Sequence, residues 1–299
     1  MFENFVLTNN PVKVAGYDFP CENPDAVMLI IHGIGEYAGR YSRMSKSLSE
    51  KHIKVYSMDL PGHGISGGVR GDAAPRIEVL YCIDKLINFA KEKFPDKPIV
   101  LYGHSMGGNI ALDYKYRGSL SDIPSAFIIS APWIRLVRPV SKPLYLAIKA
   151  GSKLIPKARI KSECDEKVLG NLIYVKPYAS NPLVHPYITM RCAYEGFEIG
   201  TAIENGTWVD YGKSAGKPFL LMQGTEDKLC DVNGARALAQ QNNGKSEFEY
   251  VEWPGYYHEI HNGNMVETGE EVIEKIGNFI VQNVIKCGFI DFYDCDAKI

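Results

Sequence analysis

The sequence predicts an α/β fold, a mostly parallel central sheet flanked by helices, on three observations. Short apolar runs recur: Val27-Met28-Leu29-Ile30-Ile31, Ile53 to Met58, Ile99 to Tyr102, Ala126 to Ser130 and Phe219 to Met222. Most lack apolar/polar alternation, as parallel strands covered on both faces do. Stretches with helical spacing accompany them. Val79, Leu80, Ile83, Ile87, Ala90 and Phe94 form one such stripe, stopped by Pro95. Val272, Ile273, Ile276, Phe279, Ile280 and Val284 form another, with Gly288 expected as its C-cap. Strand and helix in alternation require a sheet wrapped by helices.

The alternation breaks after Ala131-Pro132. From Trp133 to about Thr207 there are prolines, basic residues and amphipathic stretches but no central strand, and the strand pattern resumes at Phe219. Residues 1–132 and 208–299 therefore read as the core, and 133–207 as an inserted helical lid crossing the carboxyl edge of the sheet, where the sites of open α/β sheets lie. With 299 residues, 45% of them hydrophobic, the chain can bury a large core and reads by size as one domain with an insertion or as two intimately packed pieces.

Composition excludes several classes. A net charge of -2 provides no field for nucleic acid, so no such partner is expected. No run approaches the roughly 20 apolar residues of a membrane span. Met1 to Val6 has neither the basic start nor the apolar run of a signal peptide. Cys21, Cys82, Cys164, Cys192, Cys230, Cys287 and Cys295 are odd in number and scattered, without a C-x-x-C pair. They read as reduced thiols of a cytoplasmic protein rather than as a disulfide framework or zinc site.

The chemistry centres on Gly103-His104-Ser105-Met106-Gly107, a G-x-S-x-G pentapeptide between the apolar run ending at Tyr102 and the helix-like Asn109 to Tyr114. A serine on so tight a strand-to-helix turn is thrust out at the sheet edge, and the glycines relieve the crowding around it. Ser105 is the predicted nucleophile. A hydroxyl needs a histidine base oriented by a carboxylate, in the chain order Ser, Asp, His. Asp227 follows the Phe219 run directly and is chosen as the acid. Asp231 is read instead as the N-cap of the next helix. The strand Phe248 to Glu252 leads to His258, chosen over His261 as the base because it is nearer the strand. An oxyanion hole completes the set. The backbone N–H of Met106 is one donor, and that of Ile34, in Ile31-His32-Gly33-Ile34-Gly35, is the other.

Together, His32 to Tyr41, Asp59-Leu60-Pro61-Gly62-His63-Gly64-Ile65-Ser66 and Gly103 to Gly108 resemble the monoacylglycerol lipase and lysophospholipase group of α/β-hydrolases. Gln223 to Asp231 and Tyr257-His258 resemble that family's acid and histidine motifs. The likeness runs from about Val27 to the last helix. It implies an α/β-hydrolase fold, a Ser105–His258–Asp227 triad, oxyanion donors at Ile34 and Met106, and no metal or organic cofactor. It also implies head-group contacts from Glu36, Arg40, His104 and the lid tyrosine Tyr178. Glu36 and Arg40 have a second reading, a simple ion pair across a helical turn. Tyr37 and Ala38 depart from the His and Ser usual in the mammalian members. Cys230 occupies a family cysteine position.

The expected substrate is a small lipid ester, monoacylglycerol first, cleaved to fatty acid and glycerol through an acyl-enzyme. Lysophospholipase, thioesterase and general carboxylesterase activities use the same machinery. A peptidase and a non-catalytic ligand sensor are the remaining classes. Between Arg135 and Lys161 stand eight basic residues and no acid, interleaved with apolar ones from Leu136 to Ile155. Such a segment suits either a roof over an acyl pocket or peripheral contact with an anionic membrane through residues 133–161.

Overall fold

The computed structural model describes residues 2–161, 165–207 and 213–286, with the backbone alone at 177–179. The sheet has eight strands. They are β1 (Glu3–Thr8), β2 (Val14–Phe19), β3 (Ala26–Ile31), β4 (Ile53–Met58), β5 (Ile99–His104), β6 (Pro124–Ser130), β9 (Phe219–Gly224) and β10 (Phe248–Trp253), in the spatial order β1-β2-β4-β3-β5-β6-β9-β10. From β4 to β10 all neighbours are parallel, whereas β2 runs antiparallel to both β1 and β4.

The uninterrupted apolar runs have a simple cause. In β3, Val27, Leu29 and Ile31 enter one core while Ala26, Met28 and Ile30 enter the other. Strands β5, β6 and β9 divide in the same way. One core is completed by α2 (Arg76–Lys93), α3 (Met106–Arg117), α6 (Met190–Glu204) and α7 (Val232–Gln241), and the other by α1 (Ser42–Ser49) and α8 (Glu270–Ile280). Helix α2 ends just before Pro95. Helix α8 runs on into a π-helical turn, Val281–Ile285, and the predicted cap Gly288 lies outside the described residues.

The chain leaves β3 for β4 on one side and then crosses to β5 on the other. The loops after β3 and β5 therefore part at a topological switch point, the place where open α/β sheets bind ligands. Between β6 and β9 the chain forms α4 (Lys142–Leu154), α5 (Leu172–Ala179), α6 and a separate two-stranded ribbon of β7 (Arg159–Lys161) and β8 (Tyr187–Thr189). Neither β7 nor β8 joins the central sheet.

This intervening segment is tied to the loops at the carboxyl edge. His185 N donates to Gly35 O at 2.9 Å, and Asn181 Nδ2 donates to the Tyr37 hydroxyl at 3.0 Å. Buried Asp72 accepts from Thr189 Oγ1 at 2.7 Å and from the Arg191 guanidinium at 2.5 and 2.8 Å. Among the described residues, no helix is long and apolar enough to cross a membrane.

Candidate active site

Ser105 joins β5 to α3 with φ 57° and ψ -120°, a positive φ that fits the tight strand-to-helix turn expected from its pentapeptide. Crowding dictates the glycines beside it. A Cβ at Gly103 would strike the Gly107 carbonyl, and one at Gly107 would strike the carbonyls of Ile31 and His32. The elbow thus presses onto the end of β3, bringing the two loops of the switch point together.

The three distant residues meet. His258 Nδ1 lies 2.7 Å from Asp227 Oδ2, and His258 Nε2 lies 2.8 Å from Ser105 Oγ. With a carboxylate at Nδ1, that nitrogen carries the proton and donates it, leaving Nε2 to accept the Ser105 hydroxyl. Asp227 is fixed in turn. Its Oδ1 accepts the backbone N–H groups of Leu229 at 2.8 Å and Cys230 at 2.9 Å, and its Oδ2 accepts Gln223 Nε2 at 2.8 Å. Asp231 caps α7 by accepting the Asn233 N–H at 2.9 Å, the structural role expected of it.

Asp227, Cys230 and His258 also bring possible metal-ligand atoms within 4.8 Å of one another. The Asp227 oxygens are already filled by protein donors, and both imidazole nitrogens are engaged. The cluster belongs to the hydrogen-bond chain.

Environment separates the histidines. Burial disfavours the His258 imidazolium, but the Asp227 charge and its hydrogen bond, helped by Glu259 and Glu36, outweigh burial and hold its pKa above the ordinary value. For His261, three residues on, burial dominates and pushes the pKa down to about 3. His104, with its ring centroid 4.9 Å from that of His258, is likewise held well below the ordinary range by burial and then by His258.

Neither the Ile34 nor the Met106 N–H has a hydrogen-bond acceptor among the described residues. The loop bearing Ile34 touches the serine: a Cβ on Gly33 would stand 3.0 Å from Ser105 Cβ. Two amide donors without protein partners are thus carried by the residue after Ser105 and by the loop that touches it.

Glu36 and Arg40 are spent on each other. Their ion pair measures 2.8 Å, and Arg40 also forks onto Glu259 at 2.6 and 2.8 Å. His104 is buried, and the Tyr178 side chain lies outside the described residues. Ala38 gives its N–H to Asp59 Oδ1 at 2.8 Å. Sequence reasoning missed Gln223 and Glu259. Gln223 stood inside a quoted motif without a role, and Glu259 is paired with a residue 219 positions away, which leaves no local signal.

The family model described as Serine aminopeptidase, S33 matches residues 22–264. The chain belongs to this family. It is similar to a monoacylglycerol lipase of Mycolicibacterium smegmatis, 28% identical over 246 residues that cover 81% of this chain and 84% of that protein. An uncharacterized abhydrolase domain-containing protein of Dictyostelium discoideum is 28% identical over 247 residues, covering 81% of this chain, which spans only 25% of that protein's length. Among solved structures, a soluble variant of monoglyceride lipase from Saccharomyces cerevisiae, in complex with a substrate analog, superposes with a TM-score of 0.80 at 23% identity, covering 95% of this chain and 94% of the other. The chain is thus a monoglyceride-lipase-like α/β-hydrolase, of a kind with carboxylic ester hydrolases.

Proposed function

We propose that this hydrolase cleaves the ester bond of monoacyl lipids, monoacylglycerol first, through an acyl-enzyme on Ser105. The observation that carries this reading is the unbroken chain Asp227–His258–Ser105 beside two unpartnered amides. His258 Nε2 takes the Ser105 proton as Oγ attacks the ester carbonyl carbon. The Ile34 and Met106 N–H groups hold the resulting oxyanion, a contact worth roughly 2.7 to 4 kcal/mol per donor in comparable enzymes. The imidazolium then protonates the departing glycerol oxygen. Water, deprotonated by the same imidazole, releases the fatty acid and restores the serine.

The lipid substrate class is supported by the name of the Mycolicibacterium relative and by the character of the segment between β6 and β9. We read residues 133–207 as a lid. Leu144, Leu146, Leu154 and Ile155 lie exposed on it beside exposed Lys142, Lys149, Lys153 and Lys157, as suits peripheral contact with an anionic membrane. Lysophospholipase, thioesterase and general carboxylesterase activity would use the same site.

A fluorophosphonate probe followed by a substrate panel tests the reading. Label on Ser105 and fastest turnover of monoacylglycerols are expected. No label would favour a ligand sensor, and faster turnover of lysophospholipids, thioesters, p-nitrophenyl esters or aminoacyl amides would replace the substrate class.

A further inference from the structure

A buried chain of charges connects the two loops that the proposed reaction must hold in register. Glu36 Oε1 accepts the Gly33 N–H at 2.5 Å and the Tyr41 hydroxyl at 3.2 Å, and its Oε2 accepts Arg40 Nη1 at 2.8 Å. Arg40 Nη2 reaches both oxygens of Glu259, and Asn262 Nδ2 donates to Glu259 Oε2 at 2.7 Å. The side chains of Arg40, Glu36 and Glu259 are only 8%, 6% and 3% exposed. Gly33 adjoins Ile34, the proposed oxyanion donor, and Glu259 adjoins His258, the proposed base.

We propose that Glu36, Arg40 and Glu259 are positioning residues for the reaction at Ser105, bracing the oxyanion loop against the histidine loop and setting a negative charge beside the imidazole. This inference rests on the serine-hydrolase reading above. It replaces the head-group role that family resemblance implies for Glu36 and Arg40.

Three arguments support it. First, stability alone does not call for this arrangement, because the desolvation of a buried ion pair commonly matches its attraction, and apolar replacements are often neutral or stabilising. Second, the contacts fall where geometry matters. One carboxylate fixes the peptide N–H before Ile34, and the other belongs to the residue after His258, so the guanidinium sets the spacing between them. Misplacement of a reacting group by about 1 Å can cost on the order of 100-fold in rate.

Third, two carboxylates share one guanidinium. Burial opposes ionisation of Glu259, but the Arg40 charge, with the hydrogen bonds from Arg40 and Asn262, outweighs it and holds this carboxyl below its usual range. Glu36 is the member pushed up, by burial first and then by Glu259, with Arg40 opposing. Glu259 is therefore a standing negative charge next to the base. Of the other groups around His258, Asp227 supplies the second negative charge, while His104 and His261 are held neutral by burial. From the intervening segment, the turn Glu166–Val168 packs on the His258 backbone and brings one charge of each sign, Glu166 and Lys167. The imidazolium formed during attack is thus sustained by Asp227 directly and by the ion chain at longer range.

The test compares wild type with Glu259→Gln, Glu259→Asp and Arg40→Lys on a soluble p-nitrophenyl ester, recording pH profiles of kcat/KM, separate kcat and KM, and fluorophosphonate labelling. Glu259→Gln removes a negative charge, so the His258 pKa falls and the acid limb of kcat/KM moves to lower pH. Its kcat drops about 10- to 100-fold, with KM changed less than about twofold. Glu259→Asp restores the charge and returns the limb toward wild type. Arg40→Lys keeps the positive charge but loses the fork, lowering kcat with little shift of the limb, and it carries the test if Glu259→Gln fails to fold. An unmoved limb with unchanged kcat in Glu259→Gln overturns the proposal, as does a raised KM at constant kcat, which marks uniform substrate binding. Absence of label on wild-type Ser105 would instead sink the serine-hydrolase reading on which the proposal stands.

Discussion

The carboxyl edge of the central sheet and the segment between β6 and β9 use apolar and charged residues in opposite ways. At the edge, the apolar residues of β3, β5, β6 and β9 are all buried, and the charges of Asp227, Glu36, Arg40 and Glu259 are buried with named partners. In α4, by contrast, only Ile148 and Gly151 are buried, while Leu146 and Leu154 are 60% and 81% exposed. The edge is therefore shaped by contacts within this chain. The outer face of α4 is not, and it is this face that the proposed membrane contact would use. On the proposed reading, chemistry and delivery would fall to separate regions that substitutions can uncouple.

The sharpest break is at the edge. Ser105→Ala removes the nucleophile, and kcat on a soluble ester is expected to fall by about 10⁶, as in comparable triads. Asp227→Asn leaves four hydrogen-bonding groups facing an amide and disfavours the correct His258 tautomer, with a loss of about 10⁴. The side-chain hydrogen bonds described for Ser105 and Asp227 include none to α4, so vesicle binding by both variants should match wild type. Loss of vesicle binding with either variant would show that the two regions are not separable.

A finer test uses pH. His258 acts as a base only when neutral, so kcat/KM is lost as pH falls through its pKa. Because Asp227 and its acidic neighbours outweigh burial, the acid limb should lie above the ordinary imidazole value of 6.5. A limb below 6.5 would mean that burial dominates at His258 as it does at His261.

The same contrast explains what was legible in the sequence. β3 through β6 and β9 announced themselves because strands buried on both faces have little choice but apolar residues, whereas the half-buried β10 was placed as the next strand after Asp227. Asp227 and His258 could be placed because each follows a recognisable strand by a few residues. β1 and β2 were missed: they form the antiparallel margin, where Asn9, Asn10 and Pro11 read as loop and Gly16 interrupts the pattern. That glycine serves the packing of Phe5, whose ring occupies the space a Cβ would need. β7 and β8, three residues each and far apart in sequence, carry no periodicity to detect. The partnership of Arg40 with Glu259 is a product of the tertiary fold alone.

The gentlest break is on the segment itself. Replacing Lys142, Lys149, Lys153 and Lys157 together with glutamate changes the charge of an exposed surface by eight units while leaving the buried Ile148 and Gly151 contacts in place. Each lysine near an anionic surface contributes on the order of 1 kcal/mol, an attraction screened within roughly 8 to 10 Å at ordinary salt. Co-sedimentation with anionic vesicles should therefore collapse, and hydrolysis of monoacylglycerol presented in those vesicles should fall with it. Turnover of a soluble ester should stay within about twofold, because none of the four lysines approaches Ser105 through any contact described. Unchanged co-sedimentation would return the exposed leucines to a roof over the acyl pocket. In that case the rate with soluble long-chain esters, rather than vesicle binding, should respond to Leu146→Ser and Leu154→Ser.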